Sequence, residues 1–398
     1  MQTPAELRAR PQPRPGRVRR VIVARVALVA AVLFAPAAWS YGRALTAPGT
    51  DSLSARSAEW LRDHGLGGVV NRVEEWCYTH HPPKVGGAPK GGIPTVATVS
   101  TVTATTVRPG GAAHTTIGLP RPPNVASPAA PPLPGEGVWR PTGTVVHGRP
   151  SMYVTYVRPD PVHTSYLTGL VWFDTKLLRT VLVPGLQQPP GAPNTWNGQV
   201  PVAQRATLVG AFNSGFRVQD AQGGYYANGR QYQPLLSGRA AAVINSRGVM
   251  RIGEWGRDFT TMTGLASVRE NLWLIVDHGS VVPGLPSDHS PKWGATLGAG
   301  VYVWRSGVGV TRNGAVVFAG GDNLTVASLA DLLHRAGAVE AMELDINPEW
   351  VSCYEYRRPV PSQPQNVVGD RLAGSSDRPG DRYLVAGTRD FFAFFTRV

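Results

Sequence analysis

The chain has 398 residues, enough for one large domain with appendages or for two domains. Its formal charge is +13, Arg greatly outnumbers Lys, and Gly, Pro and Ala are abundant. Residues 1–135 carry 15 basic and 6 acidic side chains, and residues 136–398 carry 24 and 20, so most of the excess is N-terminal. No aromatic-plus-basic motif accompanies it, and no nucleic-acid partner is expected.

In chain order, residues 1–20 form an Arg-rich tail with Arg8, Arg10, Arg14, Arg17, Arg19 and Arg20. An apolar run over residues 21–41 follows, about as long as a bilayer core requires. Arg25 is placed to snorkel, and Trp39 and Tyr41 stand at the far end like an interfacial belt. Ala37-Ala38-Trp39-Ser40 is a poor cleavage site, so the run reads as an uncleaved transmembrane signal anchor. Positive-inside logic then gives a single-pass protein of the cell membrane, tail cytoplasmic and body extracytoplasmic.

Residues 51–80 read as a helical membrane-proximal segment, with Leu53, Trp60 and Leu61 on one helix face. Residues 82–135 are a Pro/Gly/Thr-rich linker, too poor in apolar anchors to offset its ordering entropy. Cys77 and Cys353 are the only cysteines; a disulfide between them and two separate thiols are both open readings.

Residues 136–398 form the body. Strand-like runs recur at Met152–Val157, Leu170–Phe173, Thr180–Val183, Thr207–Phe212, Ala241–Ile244, Leu272–Val276, Val301–Trp304, Val308–Thr311, Ala315–Phe318, Val339–Leu344, Tyr383–Val385 and Phe391–Phe395. Asn313-Gly314 marks a hairpin turn. The convincing helix starts at a Thr325 cap, places Val326, Leu329, Leu332 and Leu333 on one face, and ends before a left-handed Gly337. The fold expected is α+β: a strand-dominated mixed-sheet body with few helices, preceded by one transmembrane helix and a short helical segment. Glu355 to Asp381 reads as a long polar loop, either a lid or disordered.

Three patches carry chemistry. Asn213-Ser214-Gly215-Phe216 follows a strand, Arg305-Ser306-Gly307-Val308-Gly309 lies within another, and Gly337-Ala338 leads a third that ends at Leu344-Asp345. In order and spacing these motifs resemble the phosphodiester glycosidase family, in particular its membrane-anchored bacterial members. The likeness covers roughly 205–350. It implies a hydrolase that removes a sugar from a sugar-1-phosphodiester, here of envelope glycan or glycolipid.

The catalytic candidates are Asp345, with Glu343 or Glu349 as a second carboxylate. Paired carboxylates serve most glycosidases, and Glu343 and Asp345, two apart on a strand, share a face about 7 Å apart. The substrate-binding candidates are Arg305 as a bidentate phosphate clamp, Asn213 to position the sugar, and Asn347 and Trp350, the latter as a stacking platform. No metal or cofactor is expected from ligand spacing, and a divalent cation is the one addition left open. The family continues after Leu-Asp with glycines and a serine, whereas this chain continues Ile346-Asn347-Pro348-Glu349-Trp350. That departure leaves an alternative reading, a non-catalytic glycan-binding module of the envelope.

Overall fold

A computed structural model describes residues 15–70, 72–73, 83–95, 117–192, 195–221, 223–285, 293–294, 301–374 and 379–397. The chain divides into two compact units, one of Met1–Ala47 and Leu53–Gly67, the other of Pro48–Ser52 and Gly68–Val398. Cys77 and parts of the tail and linker lie outside the described residues.

In the first unit, the apolar run forms part of helix α1 (Pro15–Leu45), which contains Pro36. Among the described residues, no helix is long and apolar enough to cross a membrane. Helix α2 (Leu53–Leu61) packs on the end of α1 through polar and aromatic contacts, with the Tyr41 and Trp60 ring centres 5.0 Å apart. Trp60 Nε1 donates to Ser40 Oγ at 3.0 Å, and Tyr41 and Ser57 share a 2.8 Å hydrogen bond. Leu53 is 64 % exposed.

The second unit holds three sheets. The largest has eight strands in the order β1 (Arg140–Val146), β2 (Arg149–Val157), β3 (Thr168–Phe173), β14 (Val316–Leu324), β13 (Val303–Thr311), β15 (Ala338–Glu343), β11 (Leu274–Asp277) and β12 (Ser280–Val281). A five-stranded sheet runs β17 (Val368–Gly374), β16 (Ser352–Arg357), β5 (Leu208–Asn213), β18 (Phe391–Thr396) and β4 (Leu178–Val183). The third runs β7 (Arg230–Gln233), β6 (Tyr225–Ala227), β10 (Leu265–Glu270), β8 (Ala240–Asn245) and β9 (Met250–Glu254).

The body is strand-dominated with few helices, but its pairing is not mixed. Every strand pairing among the described residues is antiparallel. Short turns suffice to join antiparallel neighbours, where parallel ones need long crossovers.

The large sheet and the β5-containing sheet share one core. Phe173 of β3 stacks on Phe394 of β18 at 4.1 Å between ring centres, and Phe212 of β5 lies 5.0 Å from Phe318 of β14. The other face of the large sheet is covered by α3 (Val326–Arg335), whose Leu329, Leu332 and Leu333 pack with Trp172 and Val317. Thr325 caps α3 and Gly337 takes φ +95°, as the sequence predicts, and Ser328 completes a reciprocal capping box. The two runs read at 301–304 and 308–311 merge into one strand, β13. A Cβ on Gly309 would lie 2.5 Å from the Ala338 Cβ, and one on Gly307 2.9 Å from a Leu333 methyl. These glycines let neighbouring strand and helix approach closely.

Three further expectations need correction. Glu355–Asp381 is not one loop: Glu355–Arg357 belongs to β16 and Val368–Gly374 to β17, paired with each other, with the bulky Tyr354 and Tyr356 of β16 fully buried. Tyr383–Val385 is a turn, fixed by a 2.8 Å hydrogen bond between the Tyr383 and Ser352 hydroxyls. Finally, residues 117–135 are packed: Leu119 and Val125 lie in the core under α3, and buried Arg158 donates to the Ala129 and Pro131 carbonyls. A few apolar anchors are enough here because buried cations take up the backbone acceptors.

Candidate active site

Three strands converge on one serine. The Ser306 hydroxyl of β13 accepts from Asn213 Nδ2 at 2.9 Å and from the Asp345 N–H at 3.2 Å, and donates to the Asp345 carbonyl at 3.1 Å. The Ser306 N–H donates to the same carbonyl at 2.9 Å. Ser306 is fully buried, so its satisfied hydroxyl fixes the ends of β5 and β15 against each other. Asn271 adds a second tie, accepting from the Phe216 N–H and donating to the Glu343 and Leu344 carbonyls.

Asp345 lines a pocket with Asn213, Trp350, Arg382, Arg389 and Asp390. Arg389 Nη2 donates to Asp345 Oδ2 at 3.1 Å, and the Asn347 N–H donates to Oδ1 at 2.9 Å. Burial pushes the Asp345 carboxyl above the ordinary aspartate range, while the Arg389 charge and the Asn347 and Ile346 N–H groups hold it back. The Arg389 and Arg382 guanidinium carbons lie 4.7 and 5.3 Å from the Trp350 ring centre. Arg382 is buried, and its Nε and Nη1 make no hydrogen bond among the described residues. Asp390 is held by Arg269 at 2.9 Å, both side chains nearly fully buried.

The remaining candidates divide. Arg305 and Glu343 do not line this pocket; they form a buried 2.5 Å ion pair, and Arg305 Nε donates to the Leu324 carbonyl. Burial pushes the Glu343 carboxyl up to about 7, with Arg305 opposing and the Asp345 charge adding to the rise. Glu349 accepts from the Ser52 hydroxyl at 2.7 Å. Asn347 accepts the Glu349 N–H at 2.9 Å, which makes it part of the turn that carries Trp350 inward. Both hydrogens of the Asn213 amide are engaged, by Ser214 and Ser306, and its oxygen accepts the Ser352 N–H.

Sequence reasoning did not pick out Ser306, Asn271, Arg382, Arg389 or Asp390 as site residues. Arg389 and Asp390 directly precede the run Phe391–Phe395, a position that the sequence alone does not mark as a site. Among the described residues, one further group could chelate a metal: Asp277, His278 and Glu340. Its Asp277 is already clamped by both Arg257 nitrogens, each at 2.8 Å.

Residues 206–345 match the family model for phosphodiester glycosidase. Over this segment the chain resembles the phosphodiester glycosidases. The family is one of hydrolases, and the matched segment contains all three converging motifs. No curated protein matches the chain in sequence. A hypothetical protein from Synechocystis is 12 % identical, with a TM-score of 0.38 over 65 % of this chain, which spans 64 % of that protein. The catalytic domain of zebrafish N-acetylglucosamine-1-phosphodiester alpha-N-acetylglucosaminidase, auto-inhibited by its pro-peptide, is also 12 % identical. Its TM-score is 0.39, with 69 % of this chain and 87 % of that one covered. Arg382, Arg389 and Trp350 all lie beyond the matched glycosidase segment.

Proposed function

We propose that this protein hydrolyses the glycosidic bond of a sugar-1-phosphodiester in cell-envelope glycan or glycolipid. The observation that carries the reading is Asp345, set by all three family motifs at a pocket that also presents Arg382 and Arg389. In the reaction the bond from the anomeric carbon to the phosphate oxygen breaks, and its electron pair leaves with the phosphate. A water oxygen then bonds to the anomeric carbon, and its proton passes through a carboxylate to solvent.

A phosphate leaving group carries its own negative charge, so it needs cations more than it needs a proton. Arg389 and Arg382, steadied on Trp350, supply that charge at the pocket. Arg305 is engaged with Glu343, so the phosphate contact passes to these two residues and Arg305 supports the strand ends instead. Asp345, raised by burial yet balanced by Arg389, suits activation of water or stabilisation of the oxocarbenium-like centre.

Membrane attachment through residues 21–41, with the body extracytoplasmic, rests on the sequence alone: arginines before an apolar run. Product analysis tests the reaction class. Incubation with a panel of sugar-1-phosphodiesters should release free sugar and a phosphomonoester. Release of intact sugar phosphate would place the cleavage at the wrong bond and overturn the proposal.

A further inference from the structure

Where this chain departs from the family, at Ile346-Asn347-Pro348-Glu349-Trp350, the backbone makes a turn that ends on an indole ring. The Trp350 N–H donates to the Asn347 carbonyl at 2.9 Å, and the Asn347 N–H donates to Asp345 Oδ1 at 2.9 Å. The turn therefore hangs from Asp345 itself. The Ser352 hydroxyl donates to the Trp350 carbonyl at 3.0 Å and shares a 2.8 Å hydrogen bond with the Tyr383 hydroxyl. One serine thus ties Trp350 and Tyr383 into a single frame.

Two guanidinium groups lie against that frame. The Arg389 carbon is 4.7 Å from the Trp350 ring centre, and the Arg382 carbon is 5.3 Å from Trp350 and 5.6 Å from Tyr383. Trp350 is only 4 % exposed, so its ring acts on its neighbours rather than as an open platform for a sugar. Buried charges are ordinarily paired with an opposite charge. Arg382 is buried too, yet it meets aromatic rings, and its Nε and Nη1 make no hydrogen bond among the described residues. An acid in the place of the indole would fix a guanidinium but cancel its charge. An aromatic face fixes it through the ring quadrupole and leaves the charge to meet an anion.

We propose that Trp350 is a positioning residue for anion binding: its ring holds Arg382 and Arg389 in place without neutralising them, and so sets how tightly the pocket takes a phosphate group. The inference rests on the reading of this pocket as the active site. It gives the segment that departs from the family a definite task, in which the indole serves the cations and the cations serve the phosphate.

The test is calorimetric titration of inorganic phosphate into the full chain and into its Trp350→Phe and Trp350→Leu variants. Both variants lose volume, but only phenylalanine keeps a ring face. A packing role would weaken both alike, whereas a positioning role separates them. Trp350→Phe should bind within about threefold of wild type, and Trp350→Leu about tenfold more weakly than wild type. Equal affinities in the two variants, or no phosphate binding by wild type, overturn the assignment. If Trp350→Leu does not fold, Trp350→Met carries the same comparison. Hydrolysis of a sugar-1-phosphodiester measured in parallel reports on the reaction separately. Ranked binding without turnover keeps the role of Trp350 and removes the hydrolase reading; turnover with unranked binding does the reverse.

Discussion

Asp345 is one carboxylate with two opposing influences on its charge. Burial favours the neutral acid, and Arg389 favours the anion. If the anion is the working form, activity falls as pH drops through the raised value. Arg389→Met removes the opposing charge, so the acid limb of the kcat/KM profile should move to higher pH; an unmoved limb would separate Arg389 from the chemistry. Glu343 behaves differently, because it is a structural acid raised to about 7. A carboxyl raised in the folded state contributes stability that is full below its unfolded value near 4.5 and is lost as pH rises through about 7. Wild-type protein should lose stability on the order of 3 kcal/mol across that window, from about 1.4 kcal/mol per unit. Glu343→Gln should flatten the loss, which thermal melts at pH 4.5 and 7.5 would measure. At this scale the sequence pointed to Asn213, Asp345 and Trp350, and all three line the pocket. Arg382 and Arg389 were hidden because they lie outside the motif segment and reach Asp345 only through the β18–β5 pairing.

The elements that place the site depend on close approach. β13 carries Ser306 between β14 and β15, and its glycines leave room for the neighbouring strand and for α3. Gly309→Ala would drive a methyl group to 2.5 Å from Ala338 and should cost about 1–3 kcal/mol. A drop in the denaturant midpoint would show it; an unchanged midpoint would mean that β15 moves aside freely. Helix α3 was legible to its caps, since Thr325 and Gly337 act locally. The β16–β17 pair was not, because Arg357, Asp370 and Arg371 make a polar run whose strand character comes from pairing with each other and with β5. The packed stretch 117–135 was missed for a similar reason: carbonyls of Leu119, Ala129 and Pro131 are taken up by Arg149 and Arg158, partners that composition does not disclose.

The whole molecule joins an arginine-rich N-terminal region to a body of mild charge. The family-matched segment at 206–345 holds the motifs, and the pocket takes further walls from Trp350, from 382–391 and from 50–51. The strand-rich class was readable from alternation and turn residues, whereas the antiparallel order needed the pairings themselves. The most direct measurement is the rate of sugar release from a sugar-1-phosphodiester by the full chain, compared with Asp345→Asn. The account predicts at least a thousandfold loss in Asp345→Asn with an unchanged melting temperature. Undiminished release by a folded Asp345→Asn protein would contradict it.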